Sequence, residues 1–549
     1  MVLKALDSGS MAAQAKPLSA EQRREMAEYL SGRTFDEVAQ APTTQGACEA
    51  EHPKIGDPFE GPSWTGWSAN LTNSRYVPAE VAGLDPADVG KLELKWAFGM
   101  RDAKVASAQP TIAAGRVFIA SMTGMVHALD AETGCQYWSF QAPDRVRTSM
   151  TLGLVEGQAS VFFGDYKANL YALDARTGAL LWRVDAEKHP YSRFTGSPVY
   201  HEGRVYAATS SVEEGPAGQP DYSCCTFRGA ALALDANTGE ILWKTHTIVD
   251  EAKPVAKKEN GKPIFGPSGA AVWSPPTMDL ATNSVIVATG NHYTDRGPDG
   301  DPVESSDSVI AFDMNTGERK WLVQFTKDDL FSFGCGPRNQ FACTNDDGPD
   351  FDFGAPPVLH QFDDGRRLLL LGQKSGEVHA VDPDREGAIV WQSKVAKGGK
   401  LGGIEWGLAA NPKLVFAAIS DPNRRKPDEA GGLVALQIAT GEEIWRTPAP
   451  DCDGCMKAQM AAVTAIPGVV FSGSMDGHLR AYSDADGRII WDYDTAREFE
   501  TVNGVTASGG SLNAAGPTVV GGLVFVSSGY TQWRGKPGNV LLAFGVPGE

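Results

Sequence analysis

Seven times the chain repeats one phrase. "ALDAETGCQYW" ends at Trp138, "ALDARTGALLW" at Trp182, "ALDANTGEILW" at Trp243 and "AFDMNTGERKW" at Trp321. Looser copies, "AVDPDREGAIVW", "ALQIATGEEIW" and "AYSDADGRIIW", end at Trp391, Trp445 and Trp491. Each follows an alternating apolar run such as "GRVFIASMTGMVHALD", the period of a half-buried strand. Asp followed by Thr-Gly supplies side-chain-to-backbone bonding and a residue tolerant of positive φ, which a hairpin connection requires. The phrase therefore reads as strand, turn, strand, with its Trp packed between adjacent sheets. Successive Trp residues lie 44, 61, 78, 70, 54 and 46 positions apart, room for four short strands and variable loops. Such units repeated around an axis make a β-propeller, whose remaining sheet edges are short and protected.

Two fragments complete the ring. "KLELKWAF" carries Trp96 with no Asp-x-x-Thr-Gly before it, and "NVLLAFGVPGE" at the end has no Trp after it. Each lacks what the other has, so the prediction is an all-β, eight-bladed propeller over 61–549 whose N-terminal strand closes the last blade. Helix is expected only at the head of the chain. There "LSAEQRREMAEYLSG" pairs Ser19 with Gln22 as a capping box and ends before Gly32. Leu18, Met26, Tyr29 and Leu30 form its apolar edge, and residues 33–60 read as a linker.

Lys and Arg total 49 against 68 Asp and Glu, a net charge of −19, which disfavours nucleic acid and anionic membrane surfaces as partners. No apolar run approaches the roughly 18 residues of a membrane span. Of eight cysteines, Cys335 with Cys343 and Cys452 with Cys455 form close pairs, and Cys48 and Cys135 remain as available mates. This arithmetic suits an oxidising compartment. "CDGC" could also belong to a zinc or redox site, but no second pair has compatible spacing, so a loop-closing disulfide is expected. Cys224 and Cys225 are adjacent, and a bridge between neighbours constrains almost no loop. A role other than stapling is the better reading.

These repeats, with "PSWTGWSANLTNSRYVP" ahead of them, resemble the quinoprotein alcohol dehydrogenases, propellers that hold pyrroloquinoline quinone and a calcium ion on the axis. The resemblance spans about residues 60–549. Scaffold propellers of the outer-membrane assembly machinery carry similar repeats, so site residues must separate the two. Trp273 in "GAAVWSPPTMD" resembles the Trp beneath the quinone; the bland alternative is one more packing Trp. "VYAATSSVEEG" resembles the segment giving the first metal carboxylate, here Glu213, with Glu214 as its neighbouring candidate. "VIVATGNHY" implies Asn291 as an amide-oxygen ligand. Calcium favours such hard oxygens.

"GPDFDFGAPPVL" resembles the segment that presents a metal-binding Asp acting as general base, by position Asp352. Asp350 would be a supporting carboxylate or merely exposed. Lanthanide-using relatives carry a further Asp two positions on, where this chain has Gly354, so calcium is implied. Lys374 occupies the place of a cation beside the quinone oxygens, Thr195 and Ser197 that of hydroxyl donors to the cofactor, and Trp406 that of a pocket wall. Cys224 and Cys225 look like the family's adjacent-cysteine disulfide, which would cover the quinone opposite Trp273.

"GSMAAQAKPLSAEQRREMAEYLSG" resembles the tail of a class I cytochrome c, with Met11 as the iron ligand, and makes 1–32 a remnant of such a domain; a plain exposed helix is the alternative. No C-x-x-C-H occurs in the chain, so no haem attachment motif is present, and an external soluble cytochrome c is the implied electron acceptor. The expectation is a periplasmic enzyme that oxidises secondary alcohols, the polymer polyvinyl alcohol among them.

Overall fold

The computed structural model describes residues 6, 12–31, 45–49, 55–294, 304–336, 339–340, 348–422, 430–452 and 454–548. Met11 and Cys343, and with them the expected iron ligand and the Cys335 pairing, lie outside that set. Two compact units divide the chain, 1–46 and 47–549.

In the first unit the helix Ala20–Ser31 begins with the expected box: Ser19 N–H donates to Gln22 Oε1 (2.9 Å) and Gln22 N–H to Ser19 Oγ (3.1 Å). Its buried face differs from the predicted edge. Leu6, Ala15 and Ala27 form the cluster with Leu18 against it, whereas Met26, Tyr29 and Leu30 are exposed.

The second unit is the eight-bladed propeller. Seven four-stranded sheets are continuous in sequence, over 111–141, 151–185, 199–246, 277–324, 358–394, 409–447 and 464–494. The third also carries the short strand Ser192–Arg193. The eighth takes three strands from 518–545 and its outer strand, Glu93–Gly99, from the start of the propeller. That strand runs antiparallel to Val540–Gly545 from Glu93 opposite Gly545 to Gly99 opposite Val540, the predicted closure.

The repeat phrase does the predicted work at both ends. Asp130 Oδ1 accepts the N–H groups of Glu132 and Thr133 and the Thr133 hydroxyl; Asp174, Asp235 and Asp313 repeat this turn. The blade Trp reaches into the next blade: Trp96, Trp138, Trp182 and Trp243 donate from Nε1 to the carbonyls of Ala131, Ala175, Ala236 and Met314 at 2.9–3.1 Å. Each indole lies on the turn glycine of that next blade. At Gly178, where φ is +74°, a Cβ would sit 2.6 Å from the Trp138 ring. Trp96 thus plays the part of an eighth repeat Trp.

Nearer the axis, hydroxyls join neighbouring blades. Thr111 Oγ1 donates to Met150 O, Thr151 to Pro198 O, Thr464 to Pro517 O and Thr518 back to Pro110 O.

The segment 64–77, the stretch containing "WTGWSANLTNSRYV", winds around the inside of the ring. Its carbonyls accept N–H bonds from the inner strands of blades 1, 2, 4, 5, 6 and 7, at Ile112, Leu152, Met278, Leu359, Ala410 and Ala465. The fully buried Arg75 bonds Val463 O and Pro517 O, reaching blade 8. Among the described residues, the inner strand of blade 3, Val199–His201, receives no such backbone bond.

The expected linker is tied down at Cys48, which forms a disulfide with Cys135. Cys224 with Cys225 and Cys452 with Cys455 are also bonded.

Candidate active site on the propeller axis

Segments entering the inner strands converge on an axial cavity lined by Trp67, Ser107, Arg147, Thr195, Trp273, Ser274, Pro275, Gly354, Trp406 and Ala514. Their spacing follows the repeat. Ser107, Arg147, Thr195, Trp273, Gly354 and Ala514 each stand four residues before an inner strand begins, and Trp406 three. Trp273 and Trp406 meet edge to face, centroids 5.0 Å apart at 84°. The Arg147 guanidinium lies 4.0 Å from the Trp406 ring centroid. Gly354 abuts Trp273, whose Cζ2 would lie 2.6 Å from a Cβ there, so this wall has no room for a side chain at 354.

Beside Trp273 stands a network of acids around one lysine. Asp352 Oδ1 accepts the Asn291 N–H at 2.7 Å, and Oδ2 accepts from Lys374 Nζ at 3.0 Å. Lys374 also pairs with Asp350 at 2.9 Å. Burial alone would lower its ammonium, but Asp350, Asp352 and Glu405 together outweigh burial and hold it well above the ordinary lysine value. Asp352 Oδ1 and Trp273 Nε1 approach one backbone point, lying 2.5 and 3.4 Å from where a Gly290 Cβ would be. Glycine is required there. The Asn291 amide nitrogen donates to His292 O and Phe331 O (2.7 and 2.8 Å), which turns its oxygen to the other side.

The loop before Asp352 is held by Asp329, which accepts the N–H of Asp350 at 3.0 Å and of Phe351 at 2.7 Å. Asp307 faces Asp329 and has no donor for either oxygen. Burial and the Asp329 charge push its carboxyl well up.

Glu213, expected as the first metal carboxylate, is engaged elsewhere. It accepts from Tyr222 Oη (2.7 Å), Thr226 N (2.9 Å) and Phe227 N (2.8 Å), with His189 Nε2 at 3.5 Å. Burial would raise this carboxyl, but His189, Phe227 and Tyr222 outweigh it and hold it below its usual value. It is an anion bound by its own loop. Glu214 instead feels Asp352, Lys374 and Arg193; burial, then Asp352, pushes its carboxyl up to about 7.

Ser197 is likewise turned away, its Oγ accepting the Ser149 N–H at 2.8 Å, while Thr195 stays in the wall and donates to Trp273 O at 3.2 Å. The disulfide of Cys224 and Cys225 is buried with Ala217, Phe227, Ala271 and Tyr293, and Trp273 packs in a different cluster with Trp406 and Met460. The disulfide and Trp273 therefore pack in separate apolar clusters. The structure thus groups Asp352, Asn291, Lys374, Trp273, Trp406 and Thr195, sets Glu214 rather than Glu213 among the charges around Asp352, and adds Arg147, Trp67, Ser274 and Glu405.

Two observations test what this site can hold. Trp67 Nε1, Trp406 Nε1 and Ser274 Oγ are buried without a hydrogen-bond partner, each at a cost of about 1–3 kcal/mol. With Arg147 and Thr195 they suit a planar acid bearing several carboxylates. Second, among the described residues Asp329, Asp350, Asp352, Glu214 and Glu405 are grouped with fewer bases, Lys374, Arg193 and Arg147, an excess of carboxyl oxygens that suits a hard divalent cation. The donors of this wall suit the quinone and the acids suit a cation such as calcium.

The family description "Glucose/ethanol/alcohol dehydrogenase, beta-propeller domain" matches residues 64–397, which include all the acids just named save Glu405. "Outer membrane protein assembly factor BamB" matches only 374–523. The chain belongs to the pyrroloquinoline-quinone-dependent alcohol dehydrogenases. Within that family it stands with the polyvinyl alcohol dehydrogenases: it is 41% identical to the polyvinylalcohol dehydrogenase of Pseudomonas sp., over 99% of this chain and 88% of that protein. Identity to the enzyme of that name from Sphingopyxis sp. (strain 113P3) is 40%, over 88% and 77%. Among solved structures, the quinohemoprotein alcohol dehydrogenase ADHIIG from Pseudomonas putida HK5 aligns with a TM-score of 0.67 at 18% identity, covering 92% of this chain and 83% of that one, a likeness of fold.

Proposed function

We propose that this enzyme oxidises secondary alcohols, including the hydroxyls of polyvinyl alcohol, with Asp352 as general base. The carrying observation is that Asp352, fixed by Asn291 N–H and Lys374, lies beside Trp273 at a cavity rich in unpartnered donors. Arg147, Thr195, Ser274 and the two indole N–H groups would bind the quinone's carboxylates, and Trp273 would stack on its plane. Asp352, Asn291 and Glu214 would hold the cation; the closed wall at Gly354 supports calcium over a lanthanide. Bound there, the quinone supplies a hydride acceptor and the cation polarises its carbonyl. Asp352 takes the hydroxyl proton of the alcohol, Lys374 balances the charge that remains, and the aromatic walls exclude water.

The names of the relatives support the polymer as substrate. An external cytochrome c as acceptor and 1–32 as a cytochrome-derived segment rest on the resemblance of the chain's head. The three described disulfides support an oxidising compartment such as the periplasm. The test is dye-coupled oxidation of 2,4-pentanediol and polyvinyl alcohol after loading with quinone and calcium. Asp352→Asn should lower kcat by about 10²–10⁴-fold, the usual range for a general base; near-normal turnover in that variant overturns the assignment.

A further inference from the structure

A second cavity, about 330 Å³, lies where the axial segment leaves blade 3 unbonded. It is formed between residues 65–73 and the strand Val199–His201 with its turn residue Glu202. Thr195, at the catalytic cavity, precedes this strand, whereas His201 ends it and Glu202 follows, so the second cavity opens at the other end of the ring. Trp67 lines both cavities.

The lining has a definite chemistry. Phe59 stacks on Tyr200, centroids 5.9 Å apart at 16°, and Leu71 and Leu152 extend this apolar floor. Asn70, His201 and Glu202 supply a polar rim, and no Lys or Arg is among the lining residues, which disfavours phosphates and other anions. The volume is at the lower end for small-ligand sites. An uncharged chain that alternates methylene and hydroxyl-bearing carbons matches such a floor and rim.

We propose that this cavity is a second binding site for the polyol chain of the substrate, separate from the catalytic cavity. The inference rests on the polymer reading above. A polymer has identical units to spare, so a chain anchored here is held near the enzyme at high effective concentration while other units enter the catalytic cavity.

Phe59→Ser and Glu202→Ala test it, both at exposed positions away from the catalytic cavity, with thermal melts checking that the fold is kept. In native gels containing polyvinyl alcohol, the wild-type protein should be retarded and the variants much less so. KM for long polymer should rise about tenfold, and kcat/KM for 2,4-pentanediol should not change. Unchanged retardation, or an equal loss on the short diol, overturns the proposal. Phe59-dependent retardation in a loaded wild-type enzyme that oxidises no alcohol would sink the dehydrogenase reading and leave the site standing.

Discussion

At Glu213 the carboxylate accepts bonds from Tyr222, Thr226 and Phe227, while at Glu214 it faces the buried charges around Asp352. The two substitutions should therefore separate. Glu213→Gln gives up charge-assisted bonds within a buried loop and should destabilise the protein by about 1–3 kcal/mol, read by thermal or urea unfolding. Glu214→Gln should not destabilise the metal-free protein and should weaken calcium binding, read by titration of the metal-free protein. The sequence offered both residues and could not choose between them. Successive side chains leave the backbone in different directions, and Glu213, just before the helical turn Glu214–Ala217, is the one its own loop binds.

Within a blade, the turn carries most of the legible information. Asp-x-x-Thr-Gly is written in full because its bonds are local: Asp174 needs only residues three positions away. The glycine answers to a second demand, visible only in three dimensions, since the Trp of the previous blade lies on it. Gly178→Ala should cost about 1–3 kcal/mol from positive-φ strain and overpacking against Trp138, measured as a lower urea midpoint at unchanged m. The N-terminal helix shows the opposite limit. Its capping box was readable because Ser19 and Gln22 are neighbours, but its buried face was misassigned because a face is chosen by what packs on it.

For the whole molecule, the buried acids make stability depend on pH. Burial, opposed by Lys374 and reinforced by Asp352, pushes the Glu405 carboxyl up from 4.5 to about 7, and Glu214 shifts likewise. A carboxyl whose value is raised on folding stabilises fully below its unfolded value and loses that contribution as pH rises through about 7. Metal-free, quinone-free protein should therefore melt at a higher temperature at pH 5 than at pH 8, and Glu405→Gln should reduce the difference in calorimetry.

The sequence by itself determined the wheel: the blade number, the closure by Trp96's strand, the turns, and Trp273, Asn291, Asp352 and Lys374 as residues to watch. The wheel is periodic and its turns are local, so spacing alone expresses them, whereas the four site residues were marked by the resemblance to the family. Only the tertiary structure decided that Arg147, Ser274 and Trp406 share a wall, that Glu213 is turned inward to its own loop, and that 64–77 threads the axis around Arg75. Glu213 finds its partners within its own loop, but the other relations join residues more than a hundred positions apart, and closing the ring is what brings them within reach of one another.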